Sequence, residues 1–276
     1  MALKVLLDSL QVTGLVFVMM VAVDVVNVFT RGRLRAALAG RKHNQYVVSP
    51  LLGVIPGCVG MFTNVSLYIH GLISFGALAG GMIAGSGDEA FVMLAMFPGK
   101  ALLLFALLFF CGVVFGRVMD ALVPVLRIHP CENCVEQETH PGQEGLGHYL
   151  RHHVWQHIVK RHLLNVFLWT SGALAVVAVG LHYGALQNLT TARPLLMLLL
   201  AAAIGLIPES GPHLIFVTLF AKGLLPFSVL FTSSFVQDGH GMLPLLSYAR
   251  RDFIWVKALN MVFGLAVGLA LYGLGF

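Results

Sequence analysis

The sequence predicts an all-α polytopic membrane protein built from two structural repeats, with eight to ten membrane segments and helices interrupted by Pro and Gly. Three observations carry this. Of 276 residues, 58% are apolar and 11% charged, against about 25% charged in a soluble domain. The apolar residues form continuous runs suited to the roughly 20 residues that a helix needs to cross the hydrocarbon core, without the period-two alternation of an outer-membrane barrel. Residues 53–94 also align without gaps on residues 205–246.

Apolarity delimits eight segments: 12–30, 47–70, 72–97, 101–126, 163–183, 194–221, 224–248 and 253–275. The first carries Asp24 and Asn27 and lacks a small-residue cleavage site, so it is expected to stay in the mature chain rather than act as a signal peptide. Arg31, Arg33, Arg35, Arg41 and Lys42 follow it, and the positive-inside rule places such a cluster in the cytoplasm with the N-terminus outside. The cluster sits between two apolar spans with no interleaved aromatics, so the expected partner is the lipid bilayer and not nucleic acid. The organisation expected is a first transmembrane repeat over 1–126, a His/Cys-rich loop over 127–162 and a second repeat over 163–276.

The repeat has an offset of 152 residues and 11 identities in 42 positions, among them Gly53, Ile55 and Pro56 against Gly205, Ile207 and Pro208, and Gly87 against Gly239. Pro56-Gly57 and Pro208-Glu209-Ser210-Gly211-Pro212 stop helical hydrogen bonding in mid-segment. Paired interruptions in corresponding places of two halves point to a transporter's central site, because unwound backbone at membrane depth must be buried in protein or line a wet cavity. The plain alternative is a pair of proline kinks. Four crossings per half would make the repeats parallel; a fifth, re-entrant or short crossing in each makes them inverted, which is the arrangement expected.

An ionisable side chain inside a membrane helix is costly unless it is paired, hydrated or bound. Asp24, Asp88, Glu89, Glu209, His213, Asp238 and His240 are therefore candidates, with Asn27, Asn64 and Gln237 as uncharged companions. Asp88, Glu89, Glu209, His213, Asp238 and His240 are the expected metal ligands. Glu209 and His213 would share a face if the chain is helical beyond Pro212. Pro56, Gly57, Cys58, Asn64, Pro208, Ser210, Gln237 and Asp24 are expected to support the transport site. Carboxylate-plus-imidazole ligation suits Mn²⁺, Zn²⁺, Fe²⁺ or Co²⁺ better than Cu⁺, and Cys58 is the one soft donor nearby. The alternative is buried ion pairing, for example with Lys100, Arg117 or Lys257.

The loop holds His129, Cys131, Cys134, His140, His148, His152, His153, His157 and His162. Cys131-x-x-Cys134 beside His has zinc-type spacing, and a His-rich tract commonly captures metal. Metal capture by Cys131, Cys134, His129, His140, His148, His152, His153 and His157 is expected, against a solvated basic loop or an oxidised cysteine pair.

The segments Gly53-Val54-Ile55-Pro56-Gly57-Cys58-Val59-Gly60, Gly87-Asp88-Glu89-Ala90-Phe91, Gly205-Leu206-Ile207-Pro208-Glu209-Ser210-Gly211-Pro212 and Gln237-Asp238-Gly239-His240 together resemble a bacterial family of ten-helix heavy-metal exporters, also labelled manganese transporters and loosely grouped with arsenic permeases. The resemblance covers roughly residues 45–100 and 200–260. It implies metal efflux across the bacterial inner membrane, ten crossings and an internal repeat. The family pattern reads Ile-Pro-Gly-Cys-Gly at both breaks, whereas this chain has Val59 in the first, Glu209-Ser210 in the second, and adds His213 and His240.

These readings converge on a secondary exporter of a divalent transition metal. The metal is the substrate, protons are the expected counter-ion, no catalytic cofactor is expected, and a homodimer is carried forward although no residue specifies one. A phosphate-binding Gly-x-x-x-x-Gly-Lys-Ser/Thr motif is lacking, and no catalytic residues are assigned. The alternatives are a permease for an arsenical or other anionic or organic solute, and an intramembrane metalloenzyme with Glu209 as general base.

Overall fold

The computed structural model describes residues 43–69, 71–131 and 193–276, with isolated positions between 3 and 18 and between 167 and 179. Every regular element among the described residues is helical. Segments 12–30 and 163–183, the basic cluster 31–42 and most of the loop 127–162 lie outside them or nearly so.

Four of the apolar segments each resolve into two or more shorter pieces. Helix α1 (Gln45–Val54) ends before Pro56, and α2 (Val59–Ile69) begins after a non-helical stretch over 55–58. Next come α3 (Phe75–Ala84) and α4 (Glu89–Met96), then α5 (Pro98–Val125). In the second half, α6 (Pro194–Gly205) and α7 (Leu214–Ala221) flank a non-helical stretch over 206–213. They are followed by α8 (Phe227–Val236), a 3₁₀ turn (Gly239–Met242), α9 (Leu243–Tyr248) and α10 (Arg250–Gly273). The breaks over 55–58 and 206–213 contain Pro56, Pro208 and Pro212, which donate no N–H and clash with the preceding turn, whereas the chain leaves α3 and α8 at left-handed Gly87 and Gly239.

Element bounds coincide at the offset of 152: Phe75 and Phe227 open α3 and α8, and Pro98 and Arg250 open α5 and α10. The left-handed glycines coincide too, at Gly71 and Gly223 (φ 69° and 71°) and at Gly87 and Gly239 (φ 54° and 52°).

In each half the two helices flanking the long one pack on it and on one another: α1 and α3 with α5, α6 and α8 with α10. The halves also exchange partners, since α2 lies against the 3₁₀ turn and α9, while α7 lies against α4. Phe115 of α5 bridges them, 5.6 Å from the ring of Phe235 and 4.7 Å from that of Phe263. Helices α5 and α10 are long and apolar enough to cross a bilayer, and Leu102, Phe110, Val114, Ile254, Val262 and Leu269 leave their outer faces apolar and exposed.

Close approach of α3 and α5 depends on Gly112 and Gly116, where an added Cβ would meet the backbone of Gly80 and Gly76, a small-residue contact typical of membrane helices. Replacing Gly112 by Leu is expected to cost about 1–3 kcal/mol through overpacking. Phe110→Leu, on the exposed face, is the control, expected to stay within about 0.5 kcal/mol in the same detergent melting experiment.

Candidate metal centre

The site forms where the two non-helical breaks face the two loops that follow α3 and α8. The first break ends on Cys58, which is buried. Its backbone is tied to the following loop by the Gly57 N–H donating to the Gly87 carbonyl at 3.1 Å. The left-handed φ at Gly87 and Gly239 turns the chain so that Asp88 and His240 follow immediately. These glycines lie back to back: a Cβ on either would stand 3.6 Å from the other's Cα. A side chain there would separate the halves.

Cys58 Sγ, an Asp88 carboxylate oxygen and a ring nitrogen of His240 all lie within 4.8 Å of one another. Cys58 Sγ is 3.7 Å from Asp88 Oδ1, and the His240 backbone N–H is directed at the Cys58 sulfur. His240 Nε2 lies 2.9 Å from Glu209 Oε2, while its Nδ1 is buried without a hydrogen-bond partner. A histidine fixed through one nitrogen by a carboxylate, with the other nitrogen open, is the arrangement that orients a metal ligand. The set offers sulfur, oxygen and nitrogen donors to a borderline divalent cation. Asp88 and His240 are equivalent positions at the offset of 152, as are Cys58 and Ser210. The Ser210 hydroxyl is buried beside Gly87 and Gly239 and has no hydrogen-bond partner.

The other candidates fall elsewhere. Glu209 and His213 do not share a helical face, because α7 begins only at Leu214. Glu209 turns to His240, whereas the buried His213 sets Nδ1 3.0 Å from Ser233 Oγ. Asp238, an expected metal ligand, instead forms a buried ion pair with Lys257, the alternative named for these groups. Glu89 opens α4 fully buried, and neither carboxylate oxygen has a hydrogen-bond partner. Asn64 is satisfied by Ser49, accepting from its hydroxyl at 2.9 Å and donating to its carbonyl at 2.9 Å, so it braces α1 against α2. Gln237 spans the two loops, accepting from the Gly239 N–H at 2.9 Å and reaching the Gly85 carbonyl at 3.5 Å. Pro56 and Pro208 sit half-buried in the breaks that they cause.

Cys131 is disulfide-bonded, so its sulfur has no thiolate to offer a metal in that state, and the exposed His129 belongs to no ligand cluster among the described residues. Asp24, Cys134, His140, His148, His152, His153 and His157 lie outside the described residues.

Sequence reading left out two carboxylates that the fold uses. Asp120 accepts from the Tyr46 hydroxyl at 2.6 Å, the Gly76 N–H at 2.6 Å and the Ser74 hydroxyl. Asp252 accepts from the Tyr68 hydroxyl at 2.6 Å and the Cys131 N–H at 2.9 Å. A cavity of about 520 Å³ opens beside Tyr46, Tyr68, Ser74, Asp120 and Cys131. The donors gathered on Asp120 and Asp252 tie separate segments of the chain together. Asp252 joins the second half to α2 of the first.

The family model described as "Putative, 10TM heavy-metal exporter" matches residues 1–183 and 151–274. No curated protein and no solved structure matches the chain.

Proposed function

The chain belongs to this family of ten-helix heavy-metal exporters, and on that premise we propose that it carries a divalent transition-metal cation out across the bacterial inner membrane in exchange for protons. The observation that carries the reading is the meeting of Cys58 and Asp88 from one half with His240 and Glu209 from the other. Cys58 Sγ, Asp88 and His240 Nδ1 bind the ion directly, and Glu209 holds His240 in the binding tautomer. With one thiolate in the set, Zn²⁺, Co²⁺ and Fe²⁺ fit better than Mn²⁺.

Binding needs the thiolate, the carboxylate and the unprotonated imidazole, so protons compete for the same atoms and counter-transport follows from the ligand chemistry. Glu89 is buried one residue from Asp88 without a hydrogen-bond partner, a burial that a carboxyl group tolerates only as the acid or beside a cation. We read the coincidence at offset 152, with the exchanged contacts between halves, as an inverted repeat whose two arms rock about a site at mid-membrane. A homodimer remains part of this proposal, and the chain has no assigned catalytic residue.

In liposomes, purified protein is expected to move Zn²⁺ or Co²⁺ when protons run down their gradient in the opposite direction, and arsenite is expected not to compete. Absence of metal movement with or without the pH gradient contradicts the reading. Glu209→Gln is expected to weaken metal binding by about 10–100-fold, as loss of an outer-shell partner does, with little change in the melting of the metal-free protein.

A further inference from the structure

Away from the metal centre, the Lys257 ammonium is bound as a free cation would be. Lys257 rises from α10 and is almost fully buried. Its Nζ donates to the carbonyl of Gly205 at 3.0 Å and to that of Val236 at 3.3 Å, and its third partner is the Asp238 carboxylate. An ammonium has three protons to place, and each has an acceptor here. Gly205 and Val236 are the last residues of α6 and α8. Two helix C-termini, each with unsatisfied carbonyls and the negative end of its dipole, therefore converge on one point together with a carboxylate. Asn260, one turn further along α10, is buried beside Asp238, and His213 is within electrostatic reach of the ammonium. Discontinuous helices whose C-terminal ends and unwound carbonyls converge are the usual cradle for a monovalent cation in secondary transporters.

We propose that the Gly205 and Val236 carbonyls and the Asp238 carboxylate form a monovalent-cation site that the chain fills with its own Lys257 ammonium. The first half has no counterpart: at the offset of 152, Phe105 stands where Lys257 does and Ser86 where Asp238 does. The second break is thus neutralised from within the chain, which leaves the shared centre at Cys58, Asp88 and His240 as the place where a mobile cation is held. Deleting the lysine side chain leaves three oxygen acceptors around a space that Na⁺, K⁺ or a small alkylammonium can occupy.

The test is Lys257→Ala in lipid nanodiscs, melted in choline chloride, NaCl, KCl or ethylammonium chloride at equal ionic strength, with ²²Na⁺ binding measured alongside. Wild-type protein is expected to melt at one temperature in all four salts and to bind no ²²Na⁺ at this site. The variant is expected to melt lowest in choline, to gain about 5–10 °C at a hundredfold excess of a binding cation over its Kd, and to bind about one ²²Na⁺ per chain. Asp238→Asn in the Lys257→Ala background is expected to abolish both effects. If Lys257→Ala fails to fold in choline, recovery of folded protein on extraction in Na⁺ or ethylammonium is the same result. Equal melting, or equal failure to fold, in all four salts overturns the proposal. These readouts are stability and binding, so they stand apart from metal export.

Discussion

Asp88→Asn and His240→Ala are each expected to weaken Zn²⁺ or Co²⁺ binding by more than about 100-fold, beyond the range for loss of an outer-shell partner, and to stop flux in liposomes. Asp88→Asn replaces the anionic oxygen with a weak neutral one and His240→Ala removes the nitrogen from a three-atom set whose members lie within 4.8 Å of one another, so each leaves fewer than the three strong protein donors of an open tetrahedral site. Cys58→Ser replaces sulfur with a hard oxygen donor and is expected to reduce affinity for Zn²⁺ and Co²⁺ far more than for Mn²⁺. Isothermal titration of the three variants in detergent checks this. Equal losses for all three metals in Cys58→Ser would mean that the sulfur is not a ligand.

The second large effect concerns the Asp238–Lys257 pair. Asp238→Asn leaves the ammonium on two carbonyls alone, and Lys257→Met leaves the carboxylate with no cation. Breaking a buried pair from either side costs about 3–5 kcal/mol, because the survivor is an uncompensated charge. The double variant Asp238→Asn/Lys257→Met removes both charges and is expected to be more stable than either single variant. Melting all four proteins in choline buffer, where no small cation can substitute, completes the cycle. Additive losses would show that the two groups do not interact.

The helical class was legible in the sequence, and the non-helical stretches over 55–58 and 206–213 fall at its Pro and Gly clusters, because these residues act locally and need no tertiary information. Gly87 and Gly239 adopt the same left-handed turn, and the residue after each, Asp88 or His240, joins the cluster with Cys58. What could not be read was which polar groups pair with which. Glu209 and His213 stand four apart in sequence, but the chain between them is not helical, so spacing carried no geometry and each found a partner from α8 or beyond. Asp238 and His240 are separated by one residue, yet one faces Lys257 and the other Glu209. Left-handed Gly239 between them redirects the chain. Cys58 meets Asp88 and His240, which lie 30 and 182 positions away, a grouping that sequence spacing does not reveal. Asp120 and Asp252 escaped notice because their donors are tyrosine and serine hydroxyls and backbone amides of other segments.

The proposed divalent ion binds between the halves at Cys58, Asp88 and His240. Anomalous scattering at the zinc edge from crystals grown with Zn²⁺ tests it most directly. One peak is predicted, about 2.3 Å from Cys58 Sγ and about 2.0–2.2 Å from an Asp88 oxygen and His240 Nδ1. A peak at other residues, or no ordered peak in crystals whose metal content equals or exceeds one ion per chain, contradicts it.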